Sequence, residues 1–179
     1  LTNDDELKID YKAKTDKPTV LNLTNHNYWN LAGAGEGSIL EHELTLNCDQ
    51  YLEAGPGLIP TGKLLPVEGT GMDFTEPKSI RTDIAPLKAD DDGPRGYDHC
   101  YVVNGEPGEL RLAARVKDPS SGRVMEIQTT QPGIQFYSGN FLDGGDTNGG
   151  HRQHAAFCLE TQHYPDSPNQ PDFPSTVLR

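Results

Sequence analysis

Two residues of this chain have the chemistry that a paired proton transfer requires. His26 follows an apolar run that ends at Leu23, and Glu160 follows the apolar start of the sequence FCLETQ. A carboxylate and an imidazole suit such a pair, because burial raises the pKa of a carboxyl group and neighbours can keep an imidazole protonated. Each residue also has a plainer interpretation. A lone histidine is often a hydrogen-bonded structural residue, and a glutamate at a strand end often forms a salt bridge.

Four longer segments carry more information than either residue alone. They are NLTNHNYWNLAG at 22–33, GYDHCYVV at 96–103, QPGIQFYSGNFLDG at 131–144 and AAFCLETQHYPDSPNQPDFP at 155–174. In this order they resemble segments of the aldose 1-epimerase (galactose mutarotase) family. The looser stretch at 58–74 extends the resemblance over nearly the whole chain.

The resemblance implies an isomerase that interconverts the α and β anomers of hexoses such as glucose and galactose. The histidine of the TNHxY motif is the general acid in that family and corresponds to His26, and the glutamate of LETQ is the general base and corresponds to Glu160. By the same correspondence, Asp98 of the YDH motif and Gln135 of PGxQFY contact the sugar, and Tyr28 lines the site. Ring opening and reclosure by these groups requires no metal and no organic cofactor.

The resemblance also implies that only the later part of such an enzyme is present. Family members carry an Asn-Arg pair and a second histidine in a preceding portion, whereas residues 1–17 contain neither His nor Arg. Beyond Arg179 the family usually continues into another strand. We therefore expect unpaired sheet edges, and either association with the protein's own missing N-terminal portion or poor activity of the chain alone.

Hydrophobic patterning predicts the elements that must position these residues. The dominant period is two, which is typical of half-buried strands. The alternating residues are Leu7, Ile9, Tyr11 and Ala13; Leu44 and Leu46; Leu110, Leu112, Ala114 and Val116; and Ala155, Phe157 and Leu159. The sequence at 118–122 is a turn signal, and a further strand from 123 to 130 would complete a hairpin. Long loops are expected at 33–38, 55–73, 89–95 and 144–154.

The prediction for the fold is all-β, with one domain spanning residues 1–179. Nineteen Gly and fourteen Pro punctuate short apolar runs, and we find no convincing helical periodicity with caps. Many short strands separated by turns indicate an antiparallel sandwich or barrel. The resemblance narrows this to the large antiparallel β-sandwich, or supersandwich, of galactose mutarotases, incomplete at the N-terminus.

Composition excludes several classes of protein. A net charge of -12, from 15 basic and 27 acidic residues, argues against a nucleic-acid partner. No apolar run approaches the roughly 20 residues of a membrane span. Three widely spaced cysteines with no CxxC motif favour free thiols over disulfides or zinc, which fits a reducing, cytoplasmic compartment.

Other interpretations stay open at this point. A hexose-6-phosphate 1-epimerase would need clustered arginines, for which only Arg95 and Arg152 are candidates. A non-catalytic carbohydrate-binding module could keep the sandwich without the chemistry. His151 and His154, and the acidic run at 90–92, are better explained as solvated loops than as metal sites. His42 and His99 are expected at the surface or behind the site, and Trp29 is as compatible with the core as with ligand stacking.

Overall fold

The computed structural model describes residues 1–87 and 95–179. The strands in these ranges are β1 (Thr19–Val20), β2 (Glu43–Leu46), β3 (Gln50–Ala54), β4 (Pro60–Pro66), β5 (Lys78–Ser79), β6 (Asp98–Val102), β7 (Arg111–Lys117), β8 (Val124–Thr129), β9 (Gly133–Tyr137), β10 (Cys158–Gln162) and β11 (Val177–Leu178). Four 3-10 helices accompany them, at Ile39–Glu41, Pro56–Leu58, Asp146–Asn148 and Ser167–Asn169. The acidic run at 90–92, and the predicted loop at 89–95 apart from Arg95, lie outside the described residues.

Two antiparallel sheets form the body of the molecule. One has five strands in the order β10-β9-β6-β3-β4, and the other has four in the order β5-β2-β7-β8. A small third sheet pairs β1 with β11. No α-helix occurs in the described ranges, so the prediction of an all-β, antiparallel architecture is confirmed.

The core lies between the two sheets and holds them together. Leu44 and Leu46 of the four-stranded sheet join one buried apolar cluster with Ile134 and Phe136 of the five-stranded sheet. Phe136 is fully buried, with the Tyr97 ring stacked on it at 5.0 Å. Alternation along each strand explains this arrangement, because every second side chain points into the core.

The predicted hairpin at 111–129 is confirmed. β7 and β8 pair antiparallel, and Asp118 begins the turn by accepting hydrogen bonds from the backbone amides of Ser120 and Ser121 at 3.2 and 2.9 Å. A bulge between Leu112 and Ala114 shifts the register, so Leu112 faces solvent rather than the core.

Two expectations about other segments are wrong, and a third loses one of its two alternatives. The alternating run from Leu7 to Ala13 forms no strand, and Leu7 is 55% exposed, because no described strand pairs with this run. The loop expected at 55–73 contains β4, which ends the five-stranded sheet. For His42, expected at the surface or behind the site, the surface is excluded, because the side chain is 1% exposed and its Nε2 accepts a hydrogen bond from the amide of Leu31.

Candidate active site

Strand register brings the polar residues of three strands onto one face of the five-stranded sheet. The three strands are β10, β9 and β6, with β9 in the middle. On β9, Gln135 lies opposite Glu160 of β10, and Tyr137 lies opposite Asp98 of β6 and Cys158 of β10. Residues directly opposite each other on antiparallel strands share a face. We call the surface formed by these five side chains the site face. The reverse face of the same strands points into the core.

His26 reaches the site face from an irregular segment, residues 21–29, which we call the edge segment. The side chain of Asn22 exchanges two hydrogen bonds with the backbone of His163, both at 3.0 Å. At the other end, Trp29 and Phe157 exchange backbone hydrogen bonds of 2.8 and 2.9 Å. These contacts lay the edge segment antiparallel to β10, and the register places His26 beside Glu160.

The candidate acid and base are in direct contact. His26 Nε2 lies 3.4 Å from Glu160 Oε1, with the imidazole 51% exposed and the carboxylate 11% exposed. Burial raises the pKa of Glu160, and the nearby charge of Asp98 raises it further, whereas His26 acts in the opposite direction. A carboxylate with a raised pKa is a stronger base than one in water, and its neighbour can carry a proton.

Asp98 and Gln135 form a second polar pair next to the first. Gln135 Nε2 donates a 2.7 Å hydrogen bond to Asp98 Oδ1. Burial raises the pKa of Asp98, although the bond from Gln135 and the proximity of His26 oppose that shift. The amide oxygen of Gln135 is buried without a hydrogen-bond partner among the described residues.

A cleft opens beside this polar pair. Besides Asp98 and Gln135, its walls include Leu52, Pro60 and Pro165. The cleft is small, with a volume of about 20 Å³, and its lining residues do not include His26 or Glu160.

Aromatic rings form another border of the site. The Tyr28 ring, 49% exposed, lies 5.0 Å from the His26 ring, and Tyr137 lies 6.2 Å from the same imidazole. The Tyr137 hydroxyl accepts a 2.8 Å hydrogen bond from the amide of Phe141, which fixes its position. Trp29 packs against the core instead.

A buried polar network holds the start of β6, and with it Asp98, in place. Ser138 Oγ accepts a 2.9 Å hydrogen bond from the Tyr97 amide, and Asn140 Nδ2 donates a 2.8 Å bond to the Tyr97 carbonyl. Gly96 has a positive φ of 149°, and a Cβ at this position would overlap Asn140 Oδ1. Only glycine therefore fits against this network.

Sequence reasoning brought the five predicted site residues to attention but missed Tyr137, Cys158 and the network around Ser138. Tyr137 directly follows QF in the PGxQFY motif, so its place two residues after Gln135 on the same strand face was the available signal. Cys158 stands two residues before Glu160, and the same period would have placed its thiol beside the base.

The remaining histidines lie apart from the acid–base pair. His151 is exposed on its loop, and His154 Nδ1 bonds the carbonyl of Ser138 at 2.8 Å. His99 lines the cleft next to Asp98 and packs edge-on against Tyr51, and burial lowers its pKa to about 4. Within the described residues, one group of side chains could hold a metal ion: His26, Cys158 and Glu160, whose ligand atoms lie within 4.8 Å of one another.

The fold and the site together define a class: antiparallel β-sandwich proteins that carry a histidine–glutamate pair and a hydrogen-bonded aspartate–glutamine pair on one sheet face. A family model described as aldose 1-epimerase matches residues 1–179. Galactose mutarotase from Mus musculus is 46% identical over 97% of this chain and 50% of its own length. Aldose 1-epimerase from Escherichia coli strain K12 is 38% identical over 97% of this chain and 50% of its own length.

Solved structures agree with these comparisons. The GalM/aldose epimerase homologue from C. elegans superimposes with a TM-score of 0.75 at 30% identity, covering 92% of this chain and 48% of that one. Galactose 1-epimerase from Lactobacillus acidophilus NCFM gives a TM-score of 0.72 at 25% identity, covering 92% of this chain and 48% of that one. The chain belongs to the aldose 1-epimerase family, which confirms both the resemblance and the mutarotase-like sandwich. It spans about half the length of the curated relatives that it matches.

No helix in the described part of the chain is long and apolar enough to cross a membrane.

Proposed function

We propose that this chain supplies the acid–base pair of an aldose 1-epimerase, with Glu160 as the general base and His26 as the general acid. The observation that carries the proposal is the 3.4 Å contact between His26 Nε2 and Glu160 Oε1 at the open edge of the site face. Anomer interconversion requires one proton to leave the hydroxyl on C1 and another to reach the ring oxygen. Both oxygens are bonded to the same carbon, so an acid and a base that lie side by side can serve both.

The proposed reaction balances without a cofactor. Glu160 takes the proton of the C1 hydroxyl, a carbonyl forms at C1, and the bond between C1 and the ring oxygen breaks. His26 gives its Nε2 proton to that oxygen. Rotation about the C1–C2 bond and the reverse transfers then close the ring as the other anomer, which returns both groups to their starting states. The raised pKa of Glu160 supports its role as base.

The proposed substrates are neutral hexoses such as glucose and galactose. Asp98 accepts hydrogen bonds from sugar hydroxyls, while the amide of Gln135 holds its carboxylate in place. The half-exposed Tyr28 ring offers a face against which the pyranose C–H groups can pack. A net charge of -12 does not oppose such a ligand, because the sugar carries no charge.

Polarimetry of freshly dissolved α-D-glucose and α-D-galactose tests the proposal. Acceleration by the wild-type chain should vanish in Glu160→Gln and persist in Glu126→Gln, a matched change at an exposed position on β8. Sugar binding without acceleration in the wild type would instead favour a carbohydrate-binding module. Acceleration restricted to hexose 6-phosphates would favour the phosphorylated-sugar epimerase.

We also propose that the site is completed by the protein's own N-terminal portion, since the relatives extend to about twice this length. Exposed apolar residues on the edge strands, Leu64 on β4 and Val124 on β8, are suited to pairing with further strands. Mutarotation by the chain alone, compared with the chain joined to such a portion, tests this. Equal rates would contradict it.

The three cysteines are free and buried, which supports a reducing compartment such as the cytoplasm. Fractionation of cells that express the tagged protein tests this placement. Recovery in an oxidising compartment would contradict it.

A further inference from the structure

The imidazole of His26 has a partner on each of its two nitrogens. Nε2 faces Glu160, and Nδ1 lies 3.4 Å from the sulfur of Cys158. Cys158 and Glu160 stand two positions apart on β10 and therefore project from the same face of the sheet. Cys158 is fully buried, with Tyr137 directly opposite on β9, so its thiol is fixed while the histidine ring is half exposed.

We propose that Cys158 is a positioning residue for His26: its thiol holds the Nδ1 edge of the ring so that Nε2 faces Glu160 and the substrate. The inference rests on the proposed function, because it concerns the orientation of the proposed acid. None of the predicted site residues performs this task. Without the thiol, the exposed ring would be free to rotate away from Glu160.

The chemistry of a thiol fits this task. Burial raises the pKa of Cys158, with a further contribution from Glu160, so the sulfur keeps its proton. A neutral thiol both donates and accepts weak hydrogen bonds. When Nε2 gives up its proton, Nδ1 keeps the other one, so the sulfur accepts a hydrogen bond from Nδ1–H in both the protonated and the neutral ring. The orientation of the ring is therefore the same before and after the proton leaves through Nε2.

A neutral partner also suits an acid better than a charged one would. A carboxylate at this position would stabilise the imidazolium, raise the pKa of the histidine and make the protonated ring a weaker proton donor. The thiol orients the ring without adding that charge. Glu160 faces the other nitrogen, Nε2, and does carry a charge, but its carboxylate must be ionised because it takes up a proton in the proposed reaction.

The test combines ring orientation with kinetics. Cys158→Ala removes the contact, Cys158→Ser keeps a hydroxyl that both donates and accepts, and Cys48→Ala removes a buried thiol from the core, away from the site. Nuclear Overhauser contacts from the His26 ring to the Tyr28 and Tyr137 rings report its orientation. Polarimetry on the same variants gives kcat and KM.

We expect Cys158→Ala to lose these ring contacts and to lower kcat about tenfold, part of the 10²–10⁴-fold that a positioned acid contributes. KM should stay within about twofold, because sugar binding falls to other residues. Cys158→Ser and Cys48→Ala should keep the ring contacts and most of kcat. Should Cys158→Ala fail to fold, Cys158→Val fills a similar space without a hydrogen-bonding group and is judged by the same criteria.

Unchanged ring contacts or unchanged kcat in Cys158→Ala would overturn the proposal, as would equal losses in the serine and alanine variants. Failure of the proposed function is a separate result. In that case the wild-type chain does not accelerate mutarotation, even when joined to the N-terminal portion. The ring contacts still decide whether Cys158 orients His26.

Discussion

At the residue scale, the site depends on a carboxylate that is hard to ionise. Glu160 is almost entirely buried on the site face, and the charge of Asp98 acts on it from two strands away. Both effects raise its pKa, and only His26 opposes them. The proposed base must be deprotonated to accept a proton, so under the proposed function the raised pKa of Glu160 sets the lower limit of the pH range in which the site works.

The pH dependence of the reaction should reveal this shift. As pH falls through the raised pKa of Glu160, the base becomes protonated, and kcat/KM should decline at pH values above the roughly 4.3 of an ordinary glutamate. Asp98→Asn removes a nearby negative charge and should move this decline to lower pH. A polarimetric pH series on the wild type and this variant measures both positions. A decline at or below the ordinary value in the wild type would contradict the expectation.

The raised pKa of Glu160 should also affect thermal stability, and at neutral pH it should lower it. Because the folded-state pKa of Glu160 is raised, the group favours folding only at low pH, and that contribution is lost as pH rises through the folded-state pKa. At pH 7 the buried charge therefore opposes folding. We expect Glu160→Gln to raise the Tm by a few degrees at pH 7 and by less at pH 4, measured by calorimetry. A lower Tm at pH 7 would show that the ion pair with His26 outweighs the cost of burial.

At the element scale, local patterning predicted some strands and failed at others for identifiable reasons. The hairpin of β7 and β8 was predictable, since alternation and a turn signal lie in one stretch of sequence. β4 was missed because Pro60 and Pro66 suggest a loop. β4 is an edge strand, however, where a missing amide donor is tolerated. The run from Leu7 to Ala13 alternates correctly, but alternation alone does not supply a strand to pair with.

The network around Gly96 gives an element-scale prediction. Gly96→Ala would strain a positive φ and also drive a methyl group into Asn140, which displaces the start of β6. We expect a destabilisation of about 2–5 kcal/mol, from backbone strain of about 1–2 and overpacking of about 1–3 kcal/mol.

Gly108→Ala is the matched control, because Gly108 also has a positive φ, of 97°, but no atom lies within 4 Å of the added methyl. Chemical denaturation compares the two variants. Equal losses of stability would show that the backbone, and not the contact with Asn140, decides the effect.

At the scale of the whole molecule, the class of fold was predictable but the neighbours of each strand were not. Short alternating runs with Gly and Pro turns indicated an antiparallel sandwich. The order β10-β9-β6, which brings Glu160, Gln135 and Asp98 together, joins strands far apart in the sequence. No local pattern encodes that order. The site residues could be named beforehand because the family resemblance supplied them, whereas Cys158 and Tyr137, which it did not supply, were missed.

Packing in the core between the two sheets should make the largest contribution to the free energy of unfolding of the molecule. Phe136 is fully buried, and Phe136→Ala leaves a cavity between Phe74 and Tyr97, which is expected to cost about 3–5 kcal/mol. Leu110→Ala, at a position 67% exposed, should change stability by less than about 0.5 kcal/mol. Denaturant titration measures both. A small effect at Phe136 would mean that the two sheets do not unfold as one unit.

The edge segment has a consequence for how the proposed acid moves. It is fastened to its neighbouring strand at Asn22, at Thr24, whose hydroxyl donates a 3.0 Å hydrogen bond to the Thr161 carbonyl, and again at Trp29. The amides of residues 25–28 donate no backbone hydrogen bond to any described residue. His26 therefore sits on a short span between two anchors. Deuterium should enter the amides of this span well before that of Trp29, and a bound sugar should slow its entry. The proposed acid would then stand on backbone that opens readily to solvent, while the proposed base stays fixed in the hydrogen-bonded strand β10.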